Sequence, residues 1–460
     1  MAVWSEITLS SIENFKDFSP EYYKPLYLDL SKKIREFNVS KIGSVAYVTD
    51  GEHGSPQWDK NSEIRYITAE FIGPNFIRDG EMRKISTKQD EKNSRSRLQK
   101  NDVLIYSVGA YAGLAAVAEE HLFPANIPRS VAIVRLRSDS KILPGYLSVF
   151  LNSKYGIFQS MRLRAGNSQP VLALEKIKQI EIPQLDEVFQ FEINELYKKA
   201  YNKRILSNKL YIQAQKILEK ELKFDELMFE DSICSISSLS DIIRSQRIDA
   251  QHFQHKYKKL IEHLSGFPCE KIKNIRIHNR RGVQPRYVNN GTIDVVNSQH
   301  LGKMHLKYDE FQKTSFEYYR KNPEAHINEN DILIYTTGAY VGLTNVFLKN
   351  TQSLASNHVN ILRLINEIDP VYMSIVFQSI IGSFQTEMHS RGSAQAELYP
   401  SDIDKFIVPI LPSGIQRNIS QLVRNSYIAQ KESDQILEQA NNKVEAFIEG
   451  GEQKNEVIYG

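Results

Sequence analysis

The sequence predicts an α+β protein made of two repeated mixed α/β domains. Each is followed by a long helix, and the two helices pair as an antiparallel coiled coil. Three observations carry this. Asn101-Asp-Val-Leu-Ile-Tyr-Ser-Val-Gly-Ala-Tyr-Ala-Gly-Leu114 returns as Asn330-Asp-Ile-Leu-Ile-Tyr-Thr-Thr-Gly-Ala-Tyr-Val-Gly-Leu343, an offset of 229 residues in a chain of 460. Within each copy, helical apolar spacing alternates with short runs of β-branched and aromatic residues. Each copy then closes on a segment free of Pro and Gly that carries a heptad seam.

The repeat holds along the chain. Ser19, Tyr23, Tyr27, Leu30 and Ile34 match Asp249, Phe253, Tyr257, Leu260 and Leu264. Pro56, Ile64 and Gly73 match Pro285, Ile293 and Gly302. Gly166, Gln169, Leu172, Ile177 and Pro183 match Gly392, Gln395, Leu398, Ile403 and Pro409. The slow drift in offset is what small loop deletions produce, and a period of this length fixes the architecture. The expected boundaries are a first module over 1–184, a central helix over 185–229, a second module over 230–410, a distal helix over 411–449 and a flexible tail over 450–460.

Each module opens on a helix, Pro20 to Phe37 and Ala250 to Leu264, with apolar residues three and four apart. Lys41 to Thr49, Ile64 to Thr68, Val103 to Ser107 and Val131 to Leu136 read as strands, giving a curled and mainly antiparallel sheet. The central helix carries Phe189, Ile193, Leu196, Ala200, Lys203, Ser207, Leu210, Ala214 and Ile217 in four-three steps. The distal helix repeats this as Ile415, Ile419, Leu422, Ser426, Ala429, Ser433, Ile436, Ala440 and Lys443. At ~1.5 Å per residue each is roughly 50 Å long. A module at the base of such a helix cannot bury the whole seam, so the two helices are expected to pair and place the modules at opposite ends of a rod.

Composition sets limits. A charged fraction of 25% and an apolar fraction of 41% are those of an ordinary soluble protein. The two cysteines, Cys234 and Cys269, occupy non-equivalent repeat positions. That argues against a disulfide framework and suits a reducing cytoplasm. No apolar run is long enough for a membrane span, and the N-terminus lacks a signal-peptide layout. With 58 basic and 55 acidic residues the net charge is only +3, so any nucleic-acid contact requires cations concentrated on particular faces.

Catalytic motifs are absent. There is no phosphate loop, no His-Glu-x-x-His, no paired Cys-x-x-Cys and no Gly-x-Ser-x-Gly elbow. The Asn- or Asp-Pro-Pro-aromatic segment of amino-methyltransferases is missing too. Asp50, Glu52 and His53 cluster, but the matching Arg280-Arg-Gly-Val-Gln-Pro285 has no carboxylate, so loop solvation explains the cluster best. No catalytic residue, metal site or cofactor is assigned to the chain.

Binding chemistry is present in both copies. Tyr111 and Tyr340 each lie between glycines that let a backbone turn tightly or approach a ligand. Arg164, Asn167 and Gln169 in the first copy, and Arg391, Ser393 and Gln395 in the second, form polar loops able to grip phosphate or pair with base edges. Base readout belongs where the copies differ. Those segments hold Arg83, Lys84, Lys88, Lys92, Arg95 and Arg97 in the first copy, and Lys303, Lys307, Lys313 and Arg320 in the second. Arg280, Arg281, Arg286 and Tyr287 add a second cluster there.

Assembled, these features resemble the specificity (S) subunit of type I restriction–modification systems. The resemblance rests on the Thr49-Asp-Gly-Glu-His-Gly-Ser-Pro56 loop, the two Asn-Asp strands with their glycine pairs, the Gly-x-x-Gln loops, the strand-end prolines and the long helices. Arg247-Ile-Asp-Ala-Gln-His-Phe253 also looks like the family's repeat opening, where the first copy reads Asp17-Phe-Ser-Pro-Glu-Tyr-Tyr23 instead. The resemblance implies two target recognition domains, each reading one half of a split site in double-stranded DNA. It implies helices that act as a ruler and dock two modification (methyltransferase) subunits. Those partners would bring S-adenosylmethionine to methylate adenine, and a restriction/translocase subunit would bring ATP and Mg. This chain would then be no enzyme itself. A reader for a type IIB-like complex, a nuclease or methyltransferase acting alone, and a non-DNA interaction scaffold remain the alternatives.

Overall fold

The computed structural model describes residues 5–7, 20–78, 80–166, 169–229, 234–392 and 395–450. The chain divides into two compact units, Met1–Arg204 with Lys431–Gly460 and Ile205–Gln430. It is a mixed α+β protein with several small sheets and two long helices.

At the centre of unit 1 is an antiparallel sheet of β1 (Ala46–Asp50), β2 (Val103–Tyr106), β3 (Ala115–Val117) and β4 (Val131–Leu136), ordered β1-β4-β2-β3. Both faces are covered. Val103 and Ile105 join a core with Ile34, Tyr146 and Phe150, while Leu104 and Ile133 join another with Ile67 and Leu122. Strands buried on both faces read as continuous apolar runs, which is why Val103–Tyr106 stands out in the sequence. Each fully buried large aliphatic or aromatic side chain contributes about 1.5–3 kcal/mol. The helix Pro144–Asn152, buried on nearly every side, closes one face.

Two expectations for this unit change. The strand expected over Lys41 to Thr49 is split by a helical turn, Ile42–Val45. The amides of Ile42 and Gly43 donate to the carbonyls of Ile180 and Lys178, both at 3.0 Å, which pulls the backbone out of the sheet. The opening helix starts at Pro25 rather than Pro20 and ends at Ile34, after a 3-10 turn over Pro20–Tyr23. Proline forces the preceding Lys24 out of the helical region.

Unit 2 centres on β5 (Arg276–Arg281), β6 (Ile332–Tyr335), β7 (Thr344–Val346) and β8 (Val359–Leu364), ordered β5-β8-β6-β7. Its core again lies on both faces, with Ile332 and Ile334 in one cluster and Leu333 and Ile361 in another. A second sheet joins Gln312–Thr314, Ile293–Val296, Ser353–Ala355 and His326–Ile327. The opening helix is His255–Leu264, shorter than expected at its start.

Each sheet carries one buried ion pair at the same register. In unit 1, Arg135 Nε and Nη2 donate to Asp102 at 2.8 and 2.7 Å, and Asp102 also accepts the Gln99 amide at 2.7 Å. In unit 2, Arg363 donates to Asp331 at 2.7 and 2.8 Å, and Asp331 accepts the Asn328 amide at 2.7 Å. Burial pushes the Asp102 carboxyl above its ordinary range, and Arg135 pulls it part of the way back.

The central helix is Glu187–Glu221 and the distal helix Ser413–Ile448. Within unit 1 the Phe189 and Phe447 rings lie 4.4 Å apart, Lys443 reaches Glu192 at 2.7 Å, and Ser433 Oγ donates to the Ala200 carbonyl at 2.8 Å. Within unit 2, Ser426 Oγ donates to the Ser207 carbonyl at 2.8 Å, and the two hydroxyls are 3.0 Å apart. The buried positions include Ile193, Ala200, Ser207 and Ala214 of the seam, and Ile419, Ser426, Ser433 and Ala440 of its counterpart. Leu196, Leu210, Ile415, Leu422 and Ile436 are half-buried, whereas Tyr197, Tyr211, Leu218, Val423 and Val444 are deeply buried. The stripe turns this way because the helices also serve the modules. Tyr197 packs on Phe76 at 5.5 Å, and Tyr211 hydrogen-bonds Gln378.

Candidate nucleic-acid interface

In an antiparallel sheet, strands that run opposite ways bring alternate loops to one edge. In unit 1 the loops after β1, after β2 and before β4 therefore share an edge, since Asp50 pairs with Ala132 and Tyr106 with Val131. The loop after β2 is locked there. Ser107 N donates to Ser130 O at 3.0 Å, Gly109 N to Pro170 O at 2.9 Å and Leu172 N to Ser107 O at 2.8 Å. Ala165 and Val171 pair through two backbone bonds, and residues 170–172, directly after Gln169, bond the glycine–tyrosine loop. Gly109 has φ +134°, and a Cβ there would come within 2.6 Å of the Tyr106 hydroxyl. The turn so held presents Tyr111 to solvent, 62% exposed. Gln169 is exposed and Arg164 half-buried, while Asn167 lies outside the described residues.

Unit 2 builds the same corner. Gly338 N donates to Ala396 O at 2.9 Å, Leu398 N to Thr336 O at 2.9 Å, and Arg391 and Glu397 pair through their backbones. Tyr340 is 71% exposed and Gln395 exposed, while Ser393 lies outside the described residues. The strand-end charge differs between the units. In unit 1, Asp50 ends β1 and takes Arg95 Nη2 at 3.2 Å and His53 Nε2 at 2.9 Å; Arg95 also reaches Thr49 and the Gly51 carbonyl. In unit 2, Arg281 ends β5, donating to Glu397 at 2.7 Å and the Leu398 carbonyl at 2.8 Å, with its guanidinium over Tyr399. Hydrogen bonds from Tyr399 and Arg281 hold the Glu397 carboxyl below its ordinary value.

The remaining basic residues are only partly free. Arg97 pairs with Asp90 at 2.5 Å and Lys84 approaches Glu63 at 3.8 Å. Arg83 stacks on Trp58, 3.5 Å from the ring centroid. Lys88 and Lys92 are exposed on the helix Thr87–Lys92. In unit 2, Lys313 pairs with Asp294 at 2.6 Å, Lys307 with Glu310 at 3.5 Å and Arg391 with Asp402 at 3.1 Å. Arg286 lies over Tyr318, Tyr287 accepts the Asn297 amide at 3.3 Å, and Lys303 and Arg280 are exposed.

The structure thus brings Arg95, Tyr111, Arg164 and Gln169 to one edge, and Arg280, Arg281, Tyr340, Arg391 and Gln395 to another. Arg83 and Lys84 belong to a separate ladder, opposite Arg65 and beside the Trp58–Ile85 bridge. Exposed Arg129 and His358, in the loops before β4 and β8, reach these edges without having been singled out in the sequence. Their only sequence signal is position just ahead of the repeated strand. Glu52 is engaged by the Gly54 amide at 2.7 Å and Asn93 at 2.6 Å, which together hold its carboxyl low. Among the described residues, no group of three or more His, Cys, Asp or Glu is placed to hold a metal, and no helix is long and apolar enough to cross a membrane.

Solved structures similar to this chain include restriction–modification subunits. A type I restriction–modification S subunit from M. genitalium overlaps 90% of this chain and 94% of its own length, with a TM-score of 0.41 and 12% identity. An HsdS subunit from Thermoanaerobacter tengcongensis overlaps 90% and 97%, with a TM-score of 0.30 and 13% identity. A type IIG restriction endonuclease, BpuSI, overlaps 42% of this chain and 30% of its own, with a TM-score of 0.30 and 10% identity. No protein-family model matches the sequence, and no curated protein matches it. At such TM-scores these overlaps carry no argument, and the functional reading rests on the chain's own residues.

Proposed function

We propose that this chain is a DNA sequence-specificity subunit. Two repeated recognition modules each read one half of a split, asymmetric site in double-stranded DNA, and the two long helices pair as an antiparallel coiled coil. Partner subunits carry the chemistry: two methyltransferase subunits with S-adenosylmethionine acting on adenine, and a translocase with ATP and Mg. The observation that carries the reading is the twice-built corner. An exposed tyrosine between glycines of positive φ sits in a turn whose glycine amide bonds the residue just after the loop glutamine, at one sheet edge, and the charged groups around it differ between copies. Shared architecture suits backbone grip, and the differing arginines suit reading of different bases, since arginine forks onto guanine.

The test is selection of bound duplexes from a random library by the full chain, alone and with its partners, over a range of salt. Two short, different half-sites at fixed separation are expected, with affinity falling steeply as salt rises because phosphate contacts release counterions. A second reading, a protein-interaction scaffold, is favoured by the exposed side chains of Ile236, Leu239, Ile243 and Ile248, the first 97% exposed. Absence of any salt-dependent DNA binding in every partner combination would select it.

A further inference from the structure

Unit 2 has a cleft of about 660 Å³ along β5, the outer strand of its central sheet. Arg276, His278 and Arg280 from β5, Glu324 and His326 from the turn Pro323–Ala325 and the strand His326–Ile327, and Arg363 from β8 line it. Hydrogen-bond donors dominate. Arg276 holds Asp404 through Nε and Nη2, and Arg363 holds Asp331 through the same two atoms. Nη1 of each guanidinium is left outside those pairs. Arg280 is exposed and makes no ion pair among the described residues. His278 Nε2 is shielded from solvent and has no hydrogen-bond partner among the described residues, although the ring also meets the Glu324 backbone; a buried nitrogen left unpaired is costly, and a ligand oxygen can satisfy it. The cleft's one carboxylate outside an ion pair is that of exposed Glu324.

Unit 1 lacks this chemistry at the same register. Tyr47 pairs with Arg135 as His278 pairs with Arg363, and Thr49 pairs with Ile133 as Arg280 pairs with Ile361. Only the arginine with its buried carboxylate is kept. Guanidinium groups presenting several N–H donors match acceptor-only oxyanions, and phosphate above all.

We infer that the β5 cleft is a phosphate-binding site, with Arg280 and the Nη1 groups that Arg276 and Arg363 keep outside their ion pairs as donors and His278 completing the shell. The phosphate comes either from a duplex backbone or from a free phosphate-bearing small molecule.

The experiment is calorimetric titration of the full chain with inorganic phosphate, using wild type, Arg280→Thr, His278→Tyr and Glu324→Gln. One site per chain is expected, weakened about tenfold by either residue that unit 1 carries. Glu324→Gln is expected to tighten binding, a gain that misfolding does not mimic. Repeating the titration with a duplex present separates the sources. Phosphate that displaces the duplex assigns the cleft to backbone contact, and phosphate that binds without displacing it assigns the cleft to a small molecule. Either result supports the site, and phosphate binding by a chain that binds no duplex leaves the cleft standing while removing the DNA reading. Failure of the wild type to bind phosphate up to ~10 mM, or equal binding by all four proteins, overturns the inference.

Discussion

At the end of its first central strand unit 1 carries Asp50, held by Arg95 from a neighbouring turn. At the same register unit 2 carries Arg281, held by Glu397 from the loop beside it. The charge on the strand is inverted and the charge that answers it comes from a different segment. Around that exchange little else moves: the Arg135–Asp102 and Arg363–Asp331 pairs, the glycine–tyrosine turn and the order of strands are the same in both units. The contrast teaches where this architecture is free to vary. Buried pairs and positive-φ glycines hold the corner, and the edge groups can change sign without disturbing it.

The largest expected difference between the units is in acid. His252, His278, His300, His305 and His389 all lie in unit 2, and burial lowers the pKa of each, to about 4 for His305 and His389. Such groups bind fewer protons folded than unfolded, so their stabilisation is complete above about pH 6.5 and is lost as pH falls towards 4, by roughly 2–3 kcal/mol each for the two strongest. In unit 1, burial raises Asp102 and Glu119, which favours the folded state as pH falls through their raised values. Hydrogen exchange between pH 6.5 and 4 should show unit 2 opening first; parallel loss in both units would break the comparison.

Next in size are the shared ion pairs. Asp102→Ala and Asp331→Ala each strand a guanidinium and one backbone amide, and each should destabilise its own unit by about 3–5 kcal/mol in thermal or denaturant unfolding. A much smaller loss in one unit would mean the pairs are not equivalent.

The helix serines sharpen the contrast further. Ser426 is hydrogen-bonded to Ser207 and also meets His305 Nε2 at 2.8 Å, whereas Ser433 makes one bond to the Ala200 carbonyl. Ser426→Ala should therefore cost about 1–3 kcal/mol and Ser433→Ala about 0.5–1.5, read from denaturant midpoints. Equal losses would place the polar cluster outside the stability of unit 2.

The smallest effect is functional. Tyr111→Ala and Tyr340→Ala should each weaken duplex binding by about tenfold or less and relax preference at one half-site only, as competitive binding to half-site variants would show. Loss of preference at both half-sites from either substitution would contradict separate readers.

Much of the fold was legible because its signals are local. Leu104 and Leu333 sit in strands covered on both faces, and such strands read as unbroken apolar runs. The long helices declare themselves by the absence of Pro and Gly over 189–224 and 415–448. The turn at Ile42–Val45 was not legible, because amide donation to Ile180 and Lys178 depends on a segment far along the chain. The deep burial of Tyr197 and Tyr211 was hidden for a similar reason, since a heptad seam describes helix pairing and says nothing of contacts with the modules. At the candidate interface, the cations of the Arg83–Arg97 segment could be counted but not their partners, so the engagement of Arg95 by Asp50 and Arg97 by Asp90 came only with the structure. The inversion between Asp50 and Arg281 needs strand register to be seen at all.

The most direct test of two different readers in one chain is long-read methylation mapping of cells with and without it. A split, non-palindromic motif with methylated adenines that disappears when the chain is deleted is expected. A symmetric motif, or methylation unchanged by the deletion, would contradict it.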